Sequence, residues 1–322
     1  MEKEVFANVR GACRRVAEKS VWVRIRKERI PAYAATLPLD RRLAPELDAE
    51  RHYIGYGEDT VAFFLTLDSI NFGSGYFPHL RKRPSMSGYF TIASSLTEHF
   101  LKNGPLSARE LKNMSRAACT EMFGQDPANP AIRELMQLFT AALRDLGKFL
   151  LDRFDGSFVQ AVAAADRKAA RLVQQLIKMP YFNDVIRYGG FEVPFYKRAQ
   201  LTAADLHLAF GGKGPGCFDD LAHLTIFADN LVPHVLRLDG ILAYHEDLIA
   251  RIDTEKLIPA GSAEEVEIRA CALQAVELIV EELRQSGHSL SARELDYLLW
   301  NRGQQRFYKK SKPRHRTRTV FY

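Results

Sequence analysis

Between residues 130 and 155 the apolar positions Ile132, Leu135, Met136, Phe139, Leu143, Leu146, Phe149 and Leu150 recur at intervals of three and four. That spacing predicts an amphipathic helix whose stripe is core. In SAEEVEIRACALQAVELIVEELRQSG (262–287), Val266, Ile268, Ala270, Leu273, Val276, Ile279, Val280 and Leu283 spread round much of the helix surface. This predicts the most buried helix of the chain, opened by Ser262 and Glu265 and ended by Gly287. LSAREL occurs twice, at 106–111 and 290–295. Each copy has Ser followed three residues later by Glu, so each predicts a capping box; the second opens a last helix over 292–300. Further helices are predicted over 157–178 and from Thr202–Asp205 to the loop FGGKGPGCF (210–218). Residues 1–50 predict one or two helices and a proline-containing connection (Pro31, Pro38, Pro45). Val61–Leu67 is a core stretch closed by an Asn71-Phe72-Gly73 turn, 87–100 an extended piece leading into a helix, and 180–200 turn-rich. The expected fold is mostly α with few short strands: a single large helical domain over 1–302 and a C-terminal tail over 303–322.

The stretch LTIFADNLVPHVL (224–236) breaks this regularity. Leu224, Phe227, Leu231 and Val235 share a face at helical spacing, which predicts helix on both flanks. Pro233 has no N–H for the carbonyl of Asp229 and crowds it, but proline is tolerated in a first turn. One helix should therefore stop near Ala228 and another start near Leu231, with Asp229 and Asn230 at the junction. A carboxylate there is favoured in its ionised form by the positive end of the helix dipole. From spacing alone, an N-cap is the simplest role for either residue.

Composition adds less. Of 322 residues, 47% are hydrophobic and 26% charged, as in ordinary soluble globular proteins. No apolar run is long enough to cross a bilayer, and the first residues, MEKEVFANVRGACRR, lack the apolar core of a secretory signal. Cys13, Cys119, Cys217 and Cys271 are scattered with no CxxC pair, which points to reduced thiols and a cytoplasmic protein. Nor is there an HExxH or a His/Cys cluster of ligand spacing, so neither metal nor cofactor is expected. The net charge of +6 belongs to the tail: Arg302–Tyr322 carries eight Lys or Arg and no acid, and without those eight the chain has 37 basic against 39 acidic residues. Phe307, Tyr308, Phe321 and Tyr322 interleave with these charges, a pattern compatible with RNA contact. A near-neutral body argues against a nucleic-acid-tracking surface.

Four blocks carry a family resemblance: FADNLVPHVL (227–236), PFYKRAQ (194–200), EVEIRA (265–270) and LDYLLW (295–300). With these blocks in the family's order along the chain, it resembles the queuosine salvage family, queuosine 5′-phosphate N-glycosylases that release queuine, from about His52 to Asn301. The resemblance implies that Asp229 is the catalytic carboxylate and that His52 contacts the base. It also implies that Asp296, Tyr297 and the polar residue five positions after the aspartate, Asn301, read the base. The family pattern commonly has Asp where this chain has Asn301, and an aromatic-rich block where it has NFGSGYFP (71–78). Lys197 and Arg198 are adjacent and diverge by about 100° on a helix; given a nucleotide substrate, Lys197 is the favoured partner of the 5′-phosphate. The order helix, glycine loop, helix, aspartate is loosely similar to helix-hairpin-helix DNA glycosylases, which cleave the same bond type. The glycine-rich loop itself lacks the GK[ST] of a P-loop.

The chemistry expected from this resemblance is N-glycosidic hydrolysis. Asp229 would stabilise, or attack, an oxocarbenium-like transition state. Queuine is a 7-deazaguanine and has no N7 to protonate. The charge on the departing base would be absorbed by hydrogen bonds from Asp296, Tyr297 and His52, with Phe227 stacking on the ring. The competing readings are a nucleic-acid glycosylase or binding module that uses the basic tail, and a helical scaffold in which every polar residue above is a cap or surface group.

Overall fold

The computed structural model describes residues 4–39 and 47–322. Pro45 of the predicted proline-containing connection lies outside the described residues. The fold is mostly helical, with two two-stranded antiparallel sheets among the described residues. The chain falls into two compact units: Met1–Pro45, Asp184–Lys197 and Ala222–Arg318 form the first, and Glu46–Asn183, Arg198–Leu221 and Thr319–Tyr322 the second.

The first unit is built on the helix Ala263–Gln285, capped by Ser262, whose hydroxyl accepts from the Glu265 N–H. Its apolar positions are buried nearly all round, as the pattern predicts, and helix Glu4–Lys19 packs along it through Val9, Cys13 and Val16. Three charged residues of the same helix, Glu265, Glu267 and Arg269, are buried as well. Glu267 Oε2 accepts the backbone N–H groups of Val21, Trp22 and Val23 at 3.0, 2.6 and 3.1 Å. It thereby fixes the start of the strand Val23–Ile25, which pairs with Leu242–Tyr244. Val185–Tyr188 and Phe191–Pro194 form a hairpin whose two-residue turn, Gly189 (φ 53°) and Gly190 (φ 86°), needs left-handed backbone at both positions. Helix Ala292–Gly303 packs on helix Leu231–Leu238, and a Cβ on Gly303 would lie 2.6 Å from Leu231 Cδ1. Both predicted capping boxes, Ser107–Glu110 and Ser291–Glu294, are formed.

The second unit is organised on helix Pro130–Phe154, started by Asn129 Oδ1, which accepts from the N–H groups of Ala131 and Ile132. Its predicted apolar stripe is buried throughout. Helix Ala108–Lys112 crosses it at Gly147, where any Cβ would collide with backbone atoms of Ala108 and Lys112. In helix Glu58–Ser69 every residue from Thr60 onward is buried. Arg198, 1% exposed, closes the end of that helix. Its guanidinium donates to the carbonyls of Asp68 (2.9 Å), Ser69 (2.5 Å), Val320 (2.8 Å) and Tyr181, and lies over the Phe72 and Phe182 rings. The bonds to Asp68 and Ser69 satisfy carbonyls at the C-terminal end of helix Glu58–Ser69.

Local expectations fail where polar backbone chemistry intervenes. No extended piece precedes helix Gly88–Asn103, because Ser87 caps it directly. The predicted helix over 157–178 is split into Phe158–Ala163 and Ala169–Leu176 by Asp166 and Arg167, both with positive φ. Helix Lys197–Ala209 begins before the expected Thr202. The helix-hairpin-helix order is not reproduced: after the glycine loop the chain makes a single 3-10 turn, Leu221–His223, and then runs non-helically to Asn230.

A candidate active site around Asp229 and Asp296

Residues 224–228 are not helical, contrary to their spacing, although Leu224 and Phe227 are buried as that spacing requires. The reason lies in who satisfies the backbone. Arg10 donates to the carbonyls of His223 (3.0 Å) and Leu224 (3.2 Å), the Phe227 N–H donates to Asp296 Oδ1 (3.0 Å), and Arg269 Nε donates to the Ala228 carbonyl (3.0 Å). Distant side chains take the backbone bonds that a helix would make internally.

Helix Leu231–Leu238 then starts where predicted, with Pro233 in its first turn. Asp229 Oδ1 accepts from the N–H groups of Leu231 (2.7 Å) and Val232 (3.3 Å). Asn230 makes no side-chain cap; its amide donates to the His315 carbonyl at 3.4 Å. The capping role and a chemical role for Asp229 are therefore compatible, because Oδ2 makes no hydrogen bond among the described residues.

Asp296, on helix Ala292–Gly303, is buried. Burial raises its pKa to about 7, and the nearby charge of Asp229 adds to the rise; the Phe227 N–H and the charge of Lys197 oppose it. Tyr297 meets the Phe227 ring edge to face at 6.5 Å, and Asn301 lies one turn further along the same helix. Lys197 is itself buried. The fold thus gathers Asp229, Phe227, Asp296, Tyr297 and Lys197, with Asn301 on the Tyr297 helix.

His52 belongs to the second unit. Burial lowers its pKa, which favours a neutral ring. Nδ1 lies 3.0 Å from the Asp48 carbonyl, an acceptor only, so Nδ1 carries the proton and donates. Nε2 then accepts from the Tyr89 hydroxyl at 3.0 Å.

Two groups of residues escaped the sequence. The first is the buried ion network of Arg269, whose Nη1 and Nη2 donate to Asp184 Oδ1 (3.0 Å) and Oδ2 (2.6 Å). Nη1 also reaches Glu265 Oε1 (3.4 Å), and the guanidinium stacks on Phe195 at 3.9 Å. Its signal was present: Glu265 and Arg269 stand four apart within an otherwise apolar stretch, which is more than a capping Glu requires. The second is Arg314, half-buried beside the Asp229 segment, for which the sequence offered only a basic run.

Residues 51–322 match the model of a family described as queuosine salvage protein. The chain is 38% identical over 314 residues to a queuosine 5′-phosphate N-glycosylase/hydrolase from Sphaerobacter thermophilus, covering 96% of both chains. A protein of the same name from Dictyostelium discoideum is 33% identical over 279 residues, 86% of this chain and 83% of its own. One from Mus musculus is 33% identical over 246 residues, 73% and 72% respectively.

Proposed function

The chain belongs to the queuosine salvage protein family, and on that premise we propose that it hydrolyses the N-glycosidic bond of queuosine 5′-phosphate and releases queuine. The observation that carries this reading is similarity over nearly the whole length of a relative bearing that activity in its name. The juxtaposition of Asp229 and Asp296, one carboxylate with an uncommitted oxygen and one whose pKa burial raises to about 7, supports it chemically.

In this mechanism the bond between C1′ and the base nitrogen breaks with both electrons going to the base. Oδ2 of Asp229 faces the developing positive charge at C1′, while Oδ1 stays fixed by the two N–H groups of the helix start. Water adds its oxygen to C1′, and the proton it gives up is matched by the one the departing base nitrogen takes, yielding ribose 5-phosphate and queuine. The departing base gathers negative charge and needs donors. Asp296 in its neutral form offers one from the oxygen not holding the Phe227 N–H, and the Tyr297 hydroxyl offers another. Phe227, whose ring position is set by Tyr297, supplies the apolar face for the base. Asn301 keeps a neutral contact at the base edge. The base contact of His52 rests on the family resemblance alone. Lys197, the cation expected for the 5′-phosphate, acts electrostatically on Asp296.

The basic C-terminal run has His315 and Thr317 buried in the first unit and Tyr322 buried in the second. Burial of this kind does not favour the alternative of a tail gripping nucleic acid. No helix of the described residues is long and apolar enough to cross a membrane.

The test is release of queuine from queuosine 5′-phosphate by wild type and Asp229→Asn. Asparagine can still accept from Leu231 and Val232 through its carbonyl oxygen, so the helix start survives while the anion is lost. We expect turnover to fall about 1,000-fold, as when a preorganised transition-state contact is removed, with an unchanged melting temperature. Absence of release by wild type would sink the proposal, and an active Asp229→Asn would remove Asp229 from the chemistry.

A further inference from the structure

A nucleotide 5′-phosphate carries close to two negative charges and binds best to a cation whose donors are uncommitted. Around the Asp229 segment most arginines of the first unit are already spoken for. Arg269 is closed by Asp184, Glu265 and the Ala228 carbonyl. Arg10 is held by two carbonyls and Glu277, Arg237 by Asp253, Arg302 by Tyr308 and Asp239, and Arg316 by the Glu255 carbonyl. Arg314 makes no hydrogen bond or ion pair with any described residue.

Its placement is not accidental to the site. The carbonyl of the next residue, His315, accepts from the Asn230 amide, and Asn230 adjoins Asp229. The carbonyl of Arg316 accepts from the Ile258 N–H at 2.8 Å, so the backbone just beyond Arg314 is pinned at two points. The guanidinium is near enough to Asp229 for the two charges to attract each other, and near enough to His234, on helix Leu231–Leu238, to help hold that imidazole neutral. Burial opposes its charged state. A half-buried guanidinium whose return is only the through-space attraction of Asp229 keeps its hydrogen-bond donors for an anion that a ligand supplies.

We infer that Arg314, from the C-terminal segment, is the guanidinium that takes the 5′-phosphate of the substrate. This rests on the nucleotide-hydrolase reading above. With the sugar against Asp229, the 5′ arm is the part of the nucleotide that extends away from the reacting carbon, and a planar fork can meet two phosphate oxygens at once. Arg314 thereby sets the preference for the phosphorylated substrate over the nucleoside and takes no part in bond cleavage.

The experiment compares kcat/KM for queuosine 5′-phosphate and for queuosine in wild type, Arg314→Gln, Arg314→Lys and Lys197→Met. Arg314→Gln should lower kcat/KM for the phosphate about 100-fold, the scale of one lost charge-assisted pair, and leave the nucleoside within about threefold. Arg314→Lys should recover part of the preference. Equal losses on both substrates, or a preference abolished by Lys197→Met and kept by Arg314→Gln, would overturn the assignment. A binding measurement that needs no turnover completes it: ribose 5-phosphate should raise the melting temperature of wild type and not of Arg314→Gln. Equal protection of both proteins overturns the assignment too. Failure of wild type to release queuine, with ribose 5-phosphate still protecting only wild type, would instead count against the hydrolase reading and leave the phosphate site standing.

Discussion

Replacing Arg269 with methionine tests the central physical claim about the site, that a buried ion network holds the Asp229 segment in place. The guanidinium is fully buried and serves four acceptors: both oxygens of Asp184, Glu265 Oε1 and the Ala228 carbonyl. Methionine roughly preserves the volume but leaves the Asp184 and Glu265 carboxylates without their cation. Removing one partner of a buried pair costs about 3–5 kcal/mol, a large share of the roughly 5–15 kcal/mol that holds a protein folded. Urea unfolding of Arg269→Met, Asp184→Asn and the double variant, followed by circular dichroism, measures this directly. The double variant should be more stable than the sum of the single losses predicts, by about 1–3 kcal/mol. Arg269→Lys separates stability from function. Its ammonium keeps the charge but cannot span Asp184 and the Ala228 carbonyl together. It should be more stable than Arg269→Met and yet lose about 100-fold in kcat, the scale expected for a catalytic group displaced by about 1 Å. A loss below about 1 kcal/mol in Arg269→Met, or strict additivity in the cycle, would refute the network as a unit. Full activity in Arg269→Lys would refute its positioning role.

Two other outcomes follow from particular residues. The pKa of Asp296 is raised to about 7, so its neutral form persists well above the usual carboxylate range and is lost as pH rises through that value. If the neutral form donates to the departing base, kcat should fall as pH rises through about 7, and Asp296→Asn, which keeps a donor, should show a flatter profile with reduced activity; a rate that climbs across the same interval would assign Asp296 the opposite role. Gly147→Ala places a methyl group against the backbone of Ala108 and Lys112, where neither side can rotate away. It should destabilise the protein by about 1–3 kcal/mol, visible as a lower melting temperature, and any gain in stability would mean that helix Ala108–Lys112 does not lie as close as described.

The sequence by itself determined the helices whose signal is local. The stripe of Pro130–Phe154, the all-round apolar surface of Ala263–Gln285, both Ser-x-x-Glu caps and the start of the Asp229 helix at Leu231 were legible because side-chain period, capping oxygens and proline act within a few residues. The family blocks also pointed to Asp229 and Asp296 as candidate site residues without any coordinates. Only the tertiary structure decided the path of residues 224–228. Their spacing is that of a helix, but Arg10, Asp296 and Arg269, from helices remote in sequence, capture their backbone groups first. The same holds for the raised pKa of Asp296, which comes from burial and the approach of Asp229. Arg314 is the plainest case. In the sequence it is one basic residue among the eight from Arg302 to Tyr322, and folding half-buries it close enough to Asp229 to feel that charge, with no hydrogen bond or ion pair to a described residue. Periodicity reports how a segment can bury its own apolar side; which distant polar group reaches its backbone is settled by packing alone.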